Sequence, residues 1–197
     1  MAESFSDAHV SVVPHKRQGA TILYMEENCI NWQYFPKHSS CTDFLKSVIE
    51  VFEDNLTDIA SLGNVGQVSD EVLGKIRPGL QEIGFQVETS KTSAGKIKVP
   101  VLYGRNGKVE KSFDADAYHS VCRVVLEVEA GRGVTNYQFL KDLFQAFVMQ
   151  DVDYAVIAVR NDYRDSDDFD KVCKFIETIY QSNRLVIPLK GILIIGY

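Results

Sequence analysis

Two apolar segments joined by an amphipathic segment, between residues 122 and 159, constrain the fold of this chain most strongly. Apolar and other residues alternate over 122–129, which is typical of a strand with one face in a core. Apolar residues recur at helical spacing over 137–148, and 154–159 is an uninterrupted apolar run, as expected of a strand buried on both faces. A strand–helix–strand unit is a crossover between strands of one sheet. The segment therefore predicts a sheet with helices on its faces.

The remaining residues extend this α/β pattern. Thr42 is a predicted N-cap for a helix over 42–60, and Ser69 and Ser166 are predicted caps of two further helices. Asn106-Gly107 favours a tight turn between strands over 97–103 and 108–113. Further strands are predicted over 20–25, 85–89, 185–187 and 192–195. We expect a mixed sheet of about five strands flanked by helices.

Composition limits the class of protein. The 197 residues predict a single domain over 1–197, in which 1–40 form an N-terminal extension with little readable pattern. The net charge of -6 argues against a generally nucleic-acid-binding surface. Four widely spaced cysteines without a CxxC pair fit a reduced cytoplasmic protein, and no apolar run is long enough to span a bilayer. We therefore expect a cytoplasmic protein without a membrane partner.

A local basic run stands out against this acidic background. Between residues 91 and 111 there are six basic side chains and one acidic side chain. The run has two interpretations: contacts to nucleic-acid phosphates, or a solvated hairpin edge protected by lysines. The six basic residues are Lys91, Lys96, Lys98, Arg105, Lys108 and Lys111.

Four carboxylates lie near the predicted crossover. Alternation along a strand would place Asp114 and Asp116 on one face, and Glu127 and Glu129 on one face of the next strand. If these strands pair, up to four carboxylates converge and repel one another, and a hard divalent cation is the usual way to hold such a group together. The alternative is that the Glu-x-Glu pattern is simply the solvated face of an amphipathic strand.

The order of these features resembles a known nuclease core. An Asp-Ala pair followed by Glu-Val-Glu, an amphipathic helix and an apolar strand is similar to the PD-(D/E)XK nuclease superfamily, and within it to type II restriction endonucleases of the BamHI and BglII kind. In those enzymes the final lysine of the motif is replaced by Glu or Gln, as it would be by Glu129 here. The stretches LEVEAGRGVTNYQFLKDLFQAF, DVDYAVIAVR and RLVIPLKGILIIGY carry the resemblance, which covers about residues 85–196.

The resemblance implies a restriction-endonuclease-like three-layer fold with its core over 69–197. It implies that Asp116 binds Mg²⁺ or Mn²⁺ with Asp114 as its rival, that Glu127 is the second ligand, and that Glu129 orients the water. Lys141 on the following helix would place an amine near the site, or else would face solvent. The predicted DNA contacts are Lys96, Lys98, Arg105, Lys108, Lys111 and Arg132.

The expected activity is metal-dependent hydrolysis of DNA phosphodiesters by a homodimer, with the helix over 42–60 as the candidate interface. Two alternatives remain. The first is a nuclease fold without catalysis that binds DNA or protein, and the second is an unrelated α/β protein. The short, acidic chain has no long insertion of the kind that reads a DNA sequence.

Overall fold

A six-stranded mixed sheet with helices against both faces forms the centre of the protein. The computed structural model describes residues 29–61, 66–131, 134, 137–164 and 166–197. The helices are α1 (Asp43–Asp54), α2 (Leu56–Ile59), α3 (Ser69–Glu82), α4 (Gln138–Val148) and α5 (Asp168–Ser182). The strands are β1 (Asn31–Phe35), β2 (Gln86–Val87), β3 (Ile97–Tyr103), β4 (Val109–Ala115), β5 (Ala117–His119), β6 (Val124–Glu129), β7 (Tyr154–Val159), β8 (Asp162–Tyr163), β9 (Ser166–Asp167) and β10 (Gly191–Gly196).

The strand order in the sheet is β1-β10-β7-β6-β5-β2. Strands β6, β7 and β10 are parallel neighbours, and β1, β5 and β2 each pair antiparallel. The predicted crossover β6–α4–β7 is confirmed, and β7–α5–β10 repeats it. The mixed sheet flanked by helices is also confirmed, with six strands rather than the expected five.

Alternation along β6 divides the core into two layers. Leu126 and Val128 pack on one face of the sheet with α1 and α3. Val125 packs on the other face with α4, α5 and the β3–β4 hairpin. Glu127 follows the same alternation and therefore points to the face that α4 and the hairpin cover.

The β3–β4 hairpin lies outside the central sheet. Its two strands form as expected, but they make a separate two-stranded sheet instead of joining the central one. Asn106 and Gly107 both have positive φ, at 59° and 70°, which is the conformation that the Asn-Gly pair favours. The hairpin thus lies over the sheet and brings the basic run to the face of Glu127.

Several local predictions change in the structure. Thr42 is confirmed as an N-cap, since its hydroxyl accepts a hydrogen bond from Leu45 N at 3.3 Å. Ser69 and Ser166 are wrong as caps. Ser69 is the first residue of α3 and its hydroxyl accepts from Ala130 N at 3.0 Å, and α5 begins only at Asp168.

The edges of the sheet were also predicted incompletely. Residues 31–35 form the edge strand β1, which the sequence pattern did not indicate, and residues 185–187 are not a strand. The predicted strand over 20–25 lies outside the described residues. The helix predicted over 42–60 is interrupted at Asn55, and the apolar face of α1 is buried in the core of its own chain. No helix among the described residues is long and apolar enough to cross a membrane.

Substitution of Leu126 tests whether β6 is the centre of the core. Leu126 is fully buried, so Leu126→Ala should lower the free energy of unfolding by about 2–5 kcal/mol through lost burial and the cavity left behind. Urea denaturation measures the change. Val121→Ala is the matched control, because Val121 is 86% exposed, and its effect should stay within about 0.5 kcal/mol. Equal effects of the two substitutions would contradict the described packing.

Candidate active site

The two aspartates of the predicted acid pair lie in different elements. The strand expected to carry both is interrupted at Asp116, which sits in the bend between β4 and β5. Asp114 belongs to the hairpin, whereas Asp116 begins the entry into the central sheet. The prediction that they share one strand face is wrong, because the chain changes sheets between them. Both side chains nevertheless line the same cleft.

Strand register places Asp116 beside Glu127. Ala117 pairs with Leu126, so the residue before Ala117 lies across from the residue after Leu126. A hydrogen bond supports this arrangement, because Val128 N donates to Asp116 Oδ2 at 2.8 Å. The carboxylates of Asp116 and Glu127 therefore form the floor of the cleft.

Burial and mutual repulsion disfavour the ionised forms of both acids. Burial raises the pKa of Asp116 to about 6, although the bond from Val128 and the ammonium of Lys91 act in the opposite direction. The pKa of Glu127 is raised well above its usual range, first by burial and then by the charges of Asp116 and Asp142. Such shifts mark groups that would gain from a nearby positive charge.

Asp142 is a third acid at this site, and the sequence analysis missed it. It lies on α4 and is only 6% exposed. Its Oδ2 atom is buried and has no hydrogen-bond partner in the part of the chain that the structure describes. The sequence did contain a signal for Asp142. This acid lies with Phe139, Leu143 and Ala146 on the buried face of the helix, where an acid is unexpected.

Glu129 stands behind this floor. It is not among the residues that line the cleft. Burial, a hydrogen bond with Asp142 and repulsion from Asp142 and Asp116 raise its pKa to about 8. The acid form of Glu129 is therefore favoured near neutral pH. The predicted water-orienting residue is next to the predicted ligands, but in the acid form.

The hairpin contributes a basic wall. Lys96 Nζ lies 2.6 Å from Asp114 Oδ2, and Lys98 Nζ lies 3.0 Å from Asp114 Oδ1. A hydrogen bond from Lys96 holds the pKa of Asp114 below its usual value, although partial burial opposes the shift. Since Asp114 is already neutralised by two lysines, Asp116 is the better candidate for a metal ligand. Lys111 also lines the cleft, with Nζ 5.2 Å from the Phe113 ring centroid.

The other predicted basic residues are distributed unevenly. Lys141 lines the cleft, but its side chain is 62% exposed and its Nζ lies 3.6 Å from Asp142 Oδ1. Arg105 and Lys108 lie at the hairpin turn and do not line the cleft. Arg132 lies outside the described residues.

A further wall is formed by Lys91, which the sequence analysis counted in the basic run, and by Glu88, which it missed. Glu88 follows β2 and is 5% exposed. Lys91 Nζ lies 2.8 Å from Glu88 Oε1 and 2.8 Å from Asp70 Oδ1 on the first turn of α3. Burial disfavours the charge of Lys91, but the bonds to Asp70 and Glu88 and the attraction of Asp116 outweigh it and raise its pKa.

The donor set fits a cation that takes few protein ligands. The cleft has a volume of about 380 Å³. Among the described residues, no group of three or more His, Cys, Asp or Glu side chains is arranged so that it could hold a metal ion. Mg²⁺ does not require such a group, because it usually binds one or two carboxylates together with waters and substrate phosphates. Asp116 and Glu127 fit this role. The Oδ2 atom of Asp142, which has no hydrogen-bond partner among the described residues, is a further oxygen at the site.

Stability should fall as pH rises if the acids are as close as described. A carboxyl whose pKa is raised on folding contributes stability below its unfolded pKa and loses that contribution as pH rises through the folded pKa. The free energy of unfolding in chelator should therefore decrease between pH 5 and pH 8. Glu127→Gln should be about 1 kcal/mol more stable than wild type at pH 8, with a smaller difference at pH 5.

Urea denaturation at the two pH values measures this difference. Glu50→Gln is the matched control, because Glu50 is exposed on α1 and its substitution should leave the pH dependence unchanged. A Glu127→Gln protein no more stable than wild type at pH 8 would show that the floor carboxylates do not repel one another.

Comparison with known proteins adds no family assignment to this geometry. No family model, curated protein or solved structure matched the chain.

Proposed function

We propose that this chain is a metal-dependent nuclease that hydrolyses phosphodiester bonds in DNA. The observation that carries the proposal is the convergence of Asp116, Glu127 and the unpartnered Oδ2 of Asp142 in a cleft whose outer wall is lysine. Carboxylates suit a divalent cation, and lysines suit the phosphates of a nucleic acid. A cleft that contains both carboxylates and lysines fits a substrate whose phosphate is attacked beside a metal.

The chain order supports a restriction-endonuclease-like core. Helix α3, the hairpin, strands β5 and β6, helix α4 and strand β7 follow one another, with acids at the bend before β5 and on β6. This order resembles that of PD-(D/E)XK nucleases of the BamHI and BglII kind. We propose the three-layer fold of those enzymes on this basis.

The chemistry divides between the proposed metal and the protein. A bound Mg²⁺ or Mn²⁺ supplies positive charge that favours ionised carboxylates and lowers the pKa of a water. Asp116 and Glu127 would hold it. Glu129, once ionised, would orient the attacking water and accept its proton. The water oxygen would form a bond to phosphorus, the bond from phosphorus to the leaving sugar oxygen would break, and that oxygen would take a proton from solvent.

The partners follow from the same site. Lys96, Lys98 and Lys111 would contact backbone phosphates, which gives affinity without sequence information. We retain the homodimer as part of the proposal, because cutting both strands of a duplex needs two such clefts. The described cysteines are all free thiols, which fits the proposed cytoplasmic location.

One observation favours a second candidate function. Burial and the neighbouring Asp142 raise the pKa of Glu129 and favour its acid form, which needs no metal. A nuclease fold that has lost catalysis, and binds DNA through the hairpin lysines alone, would keep this arrangement. Such a module would bind DNA without any dependence on divalent ions.

Divalent ions should stabilise the wild-type protein and support cleavage. A ligand that binds only the folded state, at ten times its dissociation constant, adds about 1.4 kcal/mol, which is a rise in Tm of about 3–6 °C for a chain of this size. Thermal unfolding with Mg²⁺, Mn²⁺ and Ca²⁺, with and without duplex DNA, measures the shift. Plasmid nicking with Mg²⁺ or Mn²⁺ measures activity.

Glu127→Gln should lose both the rise in Tm and the nicking, whereas Glu50→Gln should retain both. Cleavage by Glu127→Gln at the wild-type rate would remove Glu127 from the site. DNA binding without a metal-dependent Tm shift or cleavage would favour the non-catalytic module.

A further inference from the structure

We infer that Lys91 is a catalytic residue that contacts the phosphate under attack. This inference rests on the proposed nuclease function and concerns a residue outside the acid cluster. Lys91 lines the cleft together with Asp116 and Glu127. Of its ion-pair partners, Glu88 follows β2 and Asp70 lies on the first turn of α3.

Two carboxylates fix the ammonium of Lys91 in place. Its Nζ forms ion pairs with Glu88 Oε1 and Asp70 Oδ1, each at 2.8 Å. Glu88 is itself anchored, since its N–H donates to Asp116 O at 2.7 Å and its carbonyl accepts from Arg77. An ammonium has three donors, so two anchor Lys91 and one is left for a ligand.

Lys91 is the better positioned of the cations near the floor. The backbone bond from Glu88 to Asp116 ties the Lys91 anchor directly to the proposed metal ligand. The side chains of Lys141 and Lys91 are similarly exposed, at 62% and 59%, but Lys141 makes one long ion pair, at 3.6 Å, whereas Lys91 makes two at 2.8 Å. Lys96 and Lys98 are held by Asp114 in the separate hairpin sheet. A cation fixed beforehand costs no reorganisation when charge develops on a phosphate oxygen.

The floor of the cleft requires such a cation. Asp116, Glu127 and Asp142 repel a phosphodiester, and the proposed metal offsets only part of this repulsion because it is shared with the carboxylates. An amine that stays protonated can bind a non-bridging phosphate oxygen throughout the reaction. The proton of the attacking water is then accepted by another group, which in the proposed mechanism is Glu129. Lys91 would therefore lower the barrier more than it strengthens binding.

The experiment compares Lys91→Gln and Lys91→Arg with wild type in single-turnover cleavage of a DNA duplex with Mg²⁺. Lys91→Gln should reduce the cleavage rate about 100-fold, in the range found for loss of one charge-stabilising donor, and should change the dissociation constant for DNA less than about threefold. Lys91→Arg should restore part of the rate. Lys46→Gln is the control: Lys46 also makes an ion pair with an acid, Asp43, at 2.9 Å, but on the exposed face of α1.

A double variant separates catalysis from folding. Lys91→Gln leaves Glu88 buried and without its cation, which could disturb the site by itself. Lys91→Gln combined with Glu88→Gln removes both charges, and thermal unfolding shows that each variant is folded. The inferred role requires the double variant to remain about 100-fold slow.

The outcomes are distinct. A wild-type rate in Lys91→Gln, or recovery of the rate in the double variant, would overturn the role of Lys91 and leave the nuclease proposal standing. No metal-dependent cleavage by the wild-type protein would overturn the nuclease proposal and this inference together.

Discussion

The antiparallel pairing of β5 with β6 is the constraint on which the candidate site depends. Ala117 faces Leu126, and this register alone brings Asp116 across from Glu127. A shift of one residue would turn Leu126 out of the core and Glu127 into it, which the burial of Leu126 strongly opposes. The same hydrophobic packing that sets the fold therefore holds two carboxylates together against their repulsion.

The change of sheet at Asp116 adds the second half of the site. Because β4 ends at Ala115 and β5 starts at Ala117, the hairpin leaves the central sheet and lies over the face that carries Glu127. Its lysines then stand above the acids. A chain with a net charge of -6 thus carries a local basic wall, and long-range fields matter less here than the placement of a few groups within one cleft.

The sequence predicted what is encoded locally. Periodicity identified β6, α4 and β7, and the Asn-Gly turn identified β3 and β4, since each pattern is contained in one segment. Edge strand β1 was missed because its partner β10 lies far away in the chain, with Phe35 paired to Ile192, and the strand itself shows no local alternation. The predicted cap Ser69 failed because a tertiary bond recruits its hydroxyl, which accepts from Ala130 N, whereas the hydroxyl of Ser166 donates to Asp168 Oδ1 two residues along the chain.

The floor of the site was predicted in part for the same reason. Asp116 and Glu127 belong to neighbouring segments, so their proximity could be predicted from the sequence. Asp142 and Lys91 reach the cleft from a helix and a loop, and their positions could not be predicted in this way. Charge balance connects them. Asp116 and Glu127 are costly to ionise beside Asp142, and the ammonium of Lys91 is already paired with two further acids, so the floor is short of positive charge although five lysines line the cleft. A divalent cation and a phosphate bound together would balance the charges of the cleft. The cation would neutralise the carboxylates of the floor, and Lys91 and the hairpin lysines would neutralise the phosphate.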